Sequence, residues 1–406
     1  MLVSVAGDHI QIAVLIEREL VEHYVTHSSA KSIVGNIYLG KVQNVLPGME
    51  AAFIEIGEAR NAVLYAGELD LDEEIEGEPA RIETLLKSGQ PILAKVTKDP
   101  MGSKGARLTT EISLAGRYVV LVPATNLLGI SRRLSDSERD RLKAIAAKVK
   151  PGHGLIVRTA AEGVGEEELT ADIARLEKLW SDIQSKQNRA KPPKLLYSEP
   201  ELVIRVVRDL FTAGVEKVLV DEPGAFRKIR DYINEVTPEL GARINLYEDP
   251  LPLFERHHVI EQLRKALDRK VWLPSGGHIV IDRTEAMTVV DVNTGRFVGK
   301  STLEETVLKT NLEAAEEIAK QLRLRDIGGI IVVDFIDMLQ ERNRESVVRT
   351  LRDALSKDKT RNQVFPMSEL GLVQMTRKNV SEGLLEAFSV TCEACSGRGI
   401  LLTELS

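Results

Sequence analysis

The chain opens in period two. "MLVSVAGDHIQIAVLIEREL" alternates apolar with polar residues and predicts two or three strands over 1–34, with a turn at Gly7–Asp8. From 35 to 112, "GNIYLGKVQNVLPGMEAAFIEIGEARNAVLY", "GQPILAKVTKD" and "GARLTTEISLAG" keep that period in short runs cut by Gly, Pro and Asn. Five short strands in so compact a span predict a small oligonucleotide-binding barrel. The period then changes. "RYVVLVP" and "GHGLIVRTA" still read as strands, but "DSERDRLKAIAAKV" and "LTADIARLEKLWSDIQ" read as amphipathic helices. The second of these carries Leu176, Leu179, Trp180 and Ile183 on one face. "SKQNRAKPPK" (185–194) reads as a linker. Beyond it, "ELVIRVVRDLF", "VEKVLVD", "AFRKIRDYINEV", "RINLYED" and "HVIEQLRKALD" alternate helix with strand, an α/β texture.

The stretch from Gly277 to Met338 organises the rest. "MTVVDVNTG" and "GGIIVVDFIDM" are short apolar strands ending in Asp291 and Asp334, and a long helical segment, "STLEETVLKTNLEAAEEIAKQLRLRDI", joins them. In open α/β sheets, sites gather at the carboxyl ends of strands. Two carboxylates delivered there suit a hard divalent ion such as Mg²⁺, which takes oxygen ligands and keeps waters for the substrate. Asn293 is placed to orient a ligand or water. Asp337, three residues beyond Asp334, is expected on the opposite face by alternation. The plainer reading of each acid is a helix cap or a salt bridge, and from the pattern alone it stands beside the metal reading.

Bulk properties narrow the function. A length of 406 residues predicts several domains. No apolar run approaches the ~20 residues of a spanning helix, and the N-terminus is no signal peptide, so a cytoplasmic protein without a membrane segment is expected. The net charge of −7 excludes a general nucleic-acid coat but not a local basic groove. Much of the acid sits in "ELDLDEEIEGE" (68–78), read as a solvated loop. The helix predicted from Glu341 to Arg361 is instead locally basic and is expected to hold a phosphodiester that the carboxylates alone would repel. Arg158–Thr159, directly after "LIV", pairs a fork of donors with a hydroxyl, suited to a phosphate; Arg132 and Arg133 are candidates to join them, and ordinary surface charge is the alternative. On the barrel, Phe53 and Lys104 offer a base-stacking ring and a phosphate cation, with a core role as the alternative for Phe53. Cys392 and Cys395, in "CEACSGRG", are the only cysteines and make half of a Zn²⁺ site. A second copy of the chain would complete it; a redox pair is the alternative.

These blocks together resemble the ribonuclease E/G family over nearly the whole chain, from "VGNIYLGKVQNVLPGMEAAFIEIG" through "KGARLTTEISLAGRY", "GISRR", "LIVRTA", "LPSGGHIVID", "VVDVNTG" and "TNLEAAEEIAKQLRLRDIGGIIVVDFIDM" to "CEACSGRG". The "VLPGMEAAF" block is nearer the family's G branch. The resemblance implies an α/β multidomain (α+β) protein. It would have a ribonuclease-H-like subdomain (1–34 plus 200–270), an inserted S1-type OB β-barrel (35–112) and a 5′-monophosphate sensor (113–199). A DNase-I-like catalytic subdomain (271–390) and a zinc-link segment (391–406) would follow. It implies an Mg²⁺-dependent endoribonuclease of rRNA processing and mRNA decay that cuts single-stranded, AU-rich RNA, leaves a 5′-phosphate downstream, and is stimulated by a 5′-monophosphate. Asp291 and Asp334 would hold Mg²⁺ with Asn293 assisting. Arg158 and Thr159 would take the 5′-phosphate, with Val120, Arg132 and Arg361 around the terminal base, and Phe53 and Lys104 would contact RNA. Cys392 and Cys395 would share Zn²⁺ between two chains of a homodimer.

Two departures qualify the resemblance. Val63 stands where the family has a second aromatic on the barrel, and the sequence stops at Ser406, where relatives continue into a small domain that pairs dimers. A zinc-linked dimer is therefore expected and a tetramer is not. The competing function is a non-catalytic RNA-binding protein using the barrel alone.

Overall fold

The computed structural model describes all residues except 8, 28–31, 70–80, 101–103, 151, 213, 296–302, 359, 380–382, 396, 398 and 402–406. Most of the acidic 68–78 stretch therefore lies outside the described residues. The fold is mixed α/β, and its contacts divide it into two compact units: residues 1–30, 215–230 and 242–406, and residues 31–214 and 231–241.

The first unit holds two sheets. In one, Leu2–Ala6, His9–Ile16 and Glu19–His27 form an antiparallel meander. Val218–Val220 and then Ile244–Leu246 add to its edge in parallel. Asp221 ties the seam: it accepts from Ser4 Oγ at 2.6 Å and from the Val5 amide at 2.9 Å. Helices Leu253–Arg256 and Val259–Leu267 bury Leu253, Phe254, Val259 and Leu263 with Leu2, Ala13 and Leu20.

The second sheet has six strands in the order Lys270–Trp272, His278–Arg283, Met287–Asn293, Gly329–Asp334, Leu372–Arg377, Asn362–Val364. All neighbours are antiparallel except Met287–Asn293 and Gly329–Asp334, which run parallel. A parallel pair needs a crossover, and helix Leu303–Leu324 supplies it. That helix and Glu341–Ser356 cover one face. Val290, Val292, Ile331, Val333, Val373 and Met375 pack there with Ala315, Ile318, Leu322, Val347 and Leu351. Each large aliphatic side chain buried this way contributes about 1.5–3 kcal/mol. Side chains alternate across a strand, so Asp291, Asn293 and Asp334 point to the face away from the helices.

The second unit contains a closed five-stranded barrel. Ile37–Leu46 pairs with Ala51–Glu55, that with Ala62–Tyr65, that with Arg107–Thr109, and that with Pro91–Lys98, which closes back onto Ile37–Leu46. Val42, Ile54, Leu64, Val96 and Leu108 fill it. A four-stranded sheet follows, ordered Leu128–Ile130, Gly154–Val157, Val119–Val122, Leu114–Ala115. Helices Asp136–Val149 and Glu166–Arg189 share its core through Leu142, Leu169, Ile173, Leu176 and Ile183.

The linker expected at 185–194 is absent. Helix Glu166–Arg189 continues through its first half, and Lys194–Tyr197 forms a strand on the barrel's Ile37–Leu46. The polar run "SKQNR" is a helix end turned mostly to solvent, where Lys186 and Arg189 suit the negative end of the helix dipole. Among the described residues, no helix is long and apolar enough to cross a membrane.

Candidate active site

Asp291 and Asp334 are Cα partners in the parallel pairing, one strand spacing (about 5 Å) apart and on the same face. Both are exposed. Burial, and then the charges of Asp291 and Asp337, push the Asp334 carboxyl above its ordinary value. Among the described residues, no Lys or Arg forms an ion pair with Asp291 or Asp334. The plainer reading of these acids as salt-bridge partners thus finds no partner there.

Asp337 corrects an expectation. The strand ends at Asp334, so alternation does not extend to residue 337, and its charge acts on Asp334. The backbone here is fixed from below. Asn311, fully buried in helix Leu303–Leu324, donates from Nδ2 to the Ile336 carbonyl at 2.8 Å and accepts at Oδ1 from the Ile336 amide at 3.1 Å. Glu304 accepts from the Leu339 and Gln340 amides, both at 3.2 Å, and from Asn343 Nδ2 at 2.7 Å. It thereby serves at the start of helix Glu341–Ser356, whose own N-cap residue, Gln340, makes no capping side-chain bond. Sequence reasoning missed both residues. Each is a polar group in a helical run, and its partner lies some 25 or more positions away.

On the other strand, Asn293 Nδ2 donates to Asp291 Oδ2 at 2.7 Å, which orients that carboxylate. Gly295 is required just beyond, because a Cβ there would collide with the Gly276 carbonyl. His278 is the cross-strand partner of Asn293. Burial, and then Lys270, push its imidazole pKa down, against a smaller pull from Asp291.

The basic helix is differently placed from the expectation. Its buried side, Val347, Val348, Leu351 and Leu355, belongs to the core on the face opposite the two carboxylates. Its outer side lines a groove of about 620 Å³ where Arg344, Arg349 and Arg352 face Glu341, Glu345 and Glu369, so the groove carries no excess of positive charge.

In the second unit, Arg158 ends the Gly154–Val157 strand and Thr159 follows it. Thr159 Oγ1 lies 2.8 Å from Ser131 Oγ, beside the exposed Arg132. Val120 pairs with Ile156, two residues before Arg158. The structure thus gathers Arg158, Thr159, Val120 and Arg132 around one strand end. Arg158 is engaged: Nη2 donates to Asp209 Oδ1 at 2.7 Å and Nη1 to the Gly116 carbonyl at 2.6 Å. Burial would raise the Asp209 carboxyl, but Arg158 and Arg208 outweigh it and hold it below its usual range. Arg361 is exposed and belongs to the other unit.

Phe53 lies outside the barrel core, half-buried, directly across from Val63. Lys104 is exposed, shortly before the Arg107–Thr109 strand. Tyr65, two residues past Val63 on the same face, is exposed and carries the Arg107 guanidinium 5.0 Å from its ring centre. Val63–Tyr65 alternation in "AVLY" is the signal that marks it in the sequence. Cys392 is exposed and Cys395 half-buried, with the Gly399 amide donating to Cys395 Sγ at 3.3 Å. Among the described residues, no three His, Cys, Asp or Glu side chains gather to hold a metal.

A model of the ribonuclease E/G family matches residues 113–380, two-thirds of the chain and both carboxylate strands. The chain belongs to the ribonuclease E/G family. Ribonuclease G of Escherichia coli K12 is 42% identical over 412 residues, covering 99% of this chain and 84% of that protein. Ribonuclease G of Haemophilus influenzae is 40% identical over 415 residues, with the same coverage. Ribonuclease E of a Nostoc species is 43% identical over 404 residues, covering 98% of this chain and 58% of that protein. The ribonuclease E/G relatives therefore align with the barrel as well as with the region that the family model matches.

Proposed function

We propose that this chain, an endoribonuclease of the ribonuclease E/G type, cuts single-stranded, AU-rich RNA with Mg²⁺ held by Asp291 and Asp334, in RNA processing and mRNA decay. The carrying observation is the register: two exposed carboxylates side by side at the ends of adjacent parallel strands, with no cationic partner among the described residues. Burial, and then the like charges of Asp291 and Asp337, push the Asp334 carboxyl up, as in a donor set short of positive charge, which fits a hard divalent cation. A bound Mg²⁺ supplies a water of lowered pKa and offsets charge on the phosphoryl oxygens. The protein's own part is positional. Asn293 fixes the Asp291 carboxylate, Asn311 fixes the backbone after Asp334, and Glu304 fixes the turn into the next helix.

The remaining residues divide the binding of RNA. Phe53 stacks a base and Lys104 holds a phosphate on an S1-type barrel. Tyr65 supplies on the same face some of the aromatic surface that Val63 lacks. Arg158 and Thr159 receive a 5′-monophosphate, with Val120 and Arg132 around the first base. The Arg158–Asp209 pair supports this reading, since that guanidinium is already arranged around an oxyanion which a phosphate would replace. Cys392 and Cys395 supply two thiolates to a Zn²⁺ shared with a second copy of the chain, in a homodimer.

Incubation of a single-stranded oligonucleotide bearing a 5′-monophosphate or a 5′-hydroxyl, with and without Mg²⁺, tests enzyme class, metal and end-sensing together. Internal scission that needs Mg²⁺ and is faster with the monophosphate is expected. Tight binding without scission would favour the non-catalytic RNA-binding protein and overturn the nuclease reading.

A further inference from the structure

Three side chains on the carboxylate face of the six-stranded sheet, Trp272, His278 and Lys270, have been given no role in binding RNA. Trp272, on the edge strand Lys270–Trp272, is 66% exposed, unusual for an indole. Its ring lies 5.4 Å from that of His278 at an interplanar angle of 54°, and Lys270 Nζ sits 4.1 Å from its ring centre. The register places them in two rows. Trp272 pairs with His278, which pairs with Asn293. Lys270 pairs with Val280, which pairs with Asp291, which pairs with Asp334. Cross-strand partners share a face, so indole, imidazole and ammonium stand on the side that presents the two carboxylates. Trp272 is two strand spacings, roughly 10 Å, from Asn293.

We propose that Trp272, backed by His278 and Lys270, is a stacking platform for a base of the RNA strand one or two nucleotides from the cleaved bond. This rests on the nuclease reading of the Asp291–Asp334 pair. The chemistry points to single-stranded nucleic acid. An exposed indole stacks any base, and an adjacent ammonium neutralises the phosphate that comes with it. A nearby cation also offsets the repulsion that the carboxylates exert on the backbone. The platform makes Trp272 a positioning residue: it holds the strand in register over the carboxylates and takes no part in the chemical step.

The chain has only two tryptophans, Trp180 and Trp272, so Trp180→Phe leaves Trp272 as the single indole reporter. In the full-length Trp180→Phe/Asp334→Asn protein, titration with a short 5′-monophosphorylated A/U oligonucleotide is expected to quench indole emission with the dissociation constant of binding. Binding with unchanged emission would overturn the proposal, as would emission that follows protein concentration and ignores RNA. In the otherwise native enzyme, Trp272→Ala is expected to raise KM about tenfold with kcat within twofold, and Trp272→Phe to restore most of the loss. An unchanged KM for Trp272→Ala would also overturn it. Failure of the parent to cut RNA would defeat the nuclease reading instead, and the emission titration would still decide whether a base stacks on Trp272.

Discussion

The strand Gly329–Asp334 has an acid near each end, and the two are treated in opposite ways. Just before it, Asp326 is 2% exposed and meets Arg377 Nη1 at 2.9 Å. The same guanidinium reaches Asp358 through Nε at 2.7 Å, the Ile327 carbonyl at 3.0 Å and Thr360 Oγ1 at 3.2 Å. Every direction of that arginine is used, and the cluster joins the last strands of the sheet to the crossover helix. At the far end, Asp334 is exposed, its neighbours Asp291 and Asp337 are acids, and no described cation pairs with it. At this strand's start the structural acid is buried with its counter-charge. The candidate catalytic acids are held by neutral groups, Asn293 and the Asn311-anchored backbone, and their charge is left for something that binds.

That contrast sets the expected effects, beginning with the largest. Asp291→Asn or Asp334→Asn should reduce RNA cleavage by about three orders of magnitude, the loss of several kcal/mol of charge stabilisation. Neither should lower the melting temperature, because like-charge repulsion is relieved. A coincident loss of folding would erase the distinction between the two strand ends. Arg377→Met should do the reverse, costing about 3–5 kcal/mol of stability by leaving Asp326 and Asp358 buried without a partner. A thermal midpoint close to the parent's would show that cluster to be dispensable.

His23 sharpens the comparison from a third side: it is 2% exposed and bonded to Gln11 Oε1 at 3.1 Å, and among the described residues no counter-charge pairs with it. Burial pushes its imidazole from 6.5 down to about 4. The unfolded chain therefore takes up this proton first. Stability is complete above pH 6.5 and is lost as pH falls towards 4, by up to about 3 kcal/mol. His23→Gln should flatten the acid limb of the stability–pH curve over that window, and an unchanged slope would assign it to other groups. Smallest of the four, Asn311→Ala should cost about 1–3 kcal/mol by stranding the Ile336 amide and carbonyl. It should also slow cleavage, since the support behind Asp334 loosens; parent-like kinetics would show that the segment holds itself.

Much of this was legible in the sequence because local patterns carry it. Short apolar runs ending in Asp291 and Asp334, with a long helical run between them, predict a strand–helix–strand unit, and the two strands do pair in parallel. Gly- and Pro-punctuated short strands likewise predict the barrel. What escaped depends on long-range pairing. Nothing near Arg158 announces Asp209, whose side chain arrives from 51 positions away. Asp337 was assigned by extending an alternation beyond the strand's last residue. "SKQNR" has a linker's composition but a helix's surroundings, because it continues a helix that Leu169, Ile173, Leu176 and Ile183 hold to the core. Trp272 sits on a three-residue strand, too short for any period to show.

The most direct test of the account is divalent-metal binding by the full chain, measured by calorimetric titration of Mg²⁺ into the parent and into the Asp291→Asn/Asp334→Asn double variant. The account predicts a binding event in the parent that vanishes in the variant at equal folded content. Equal Mg²⁺ binding by both proteins would contradict it.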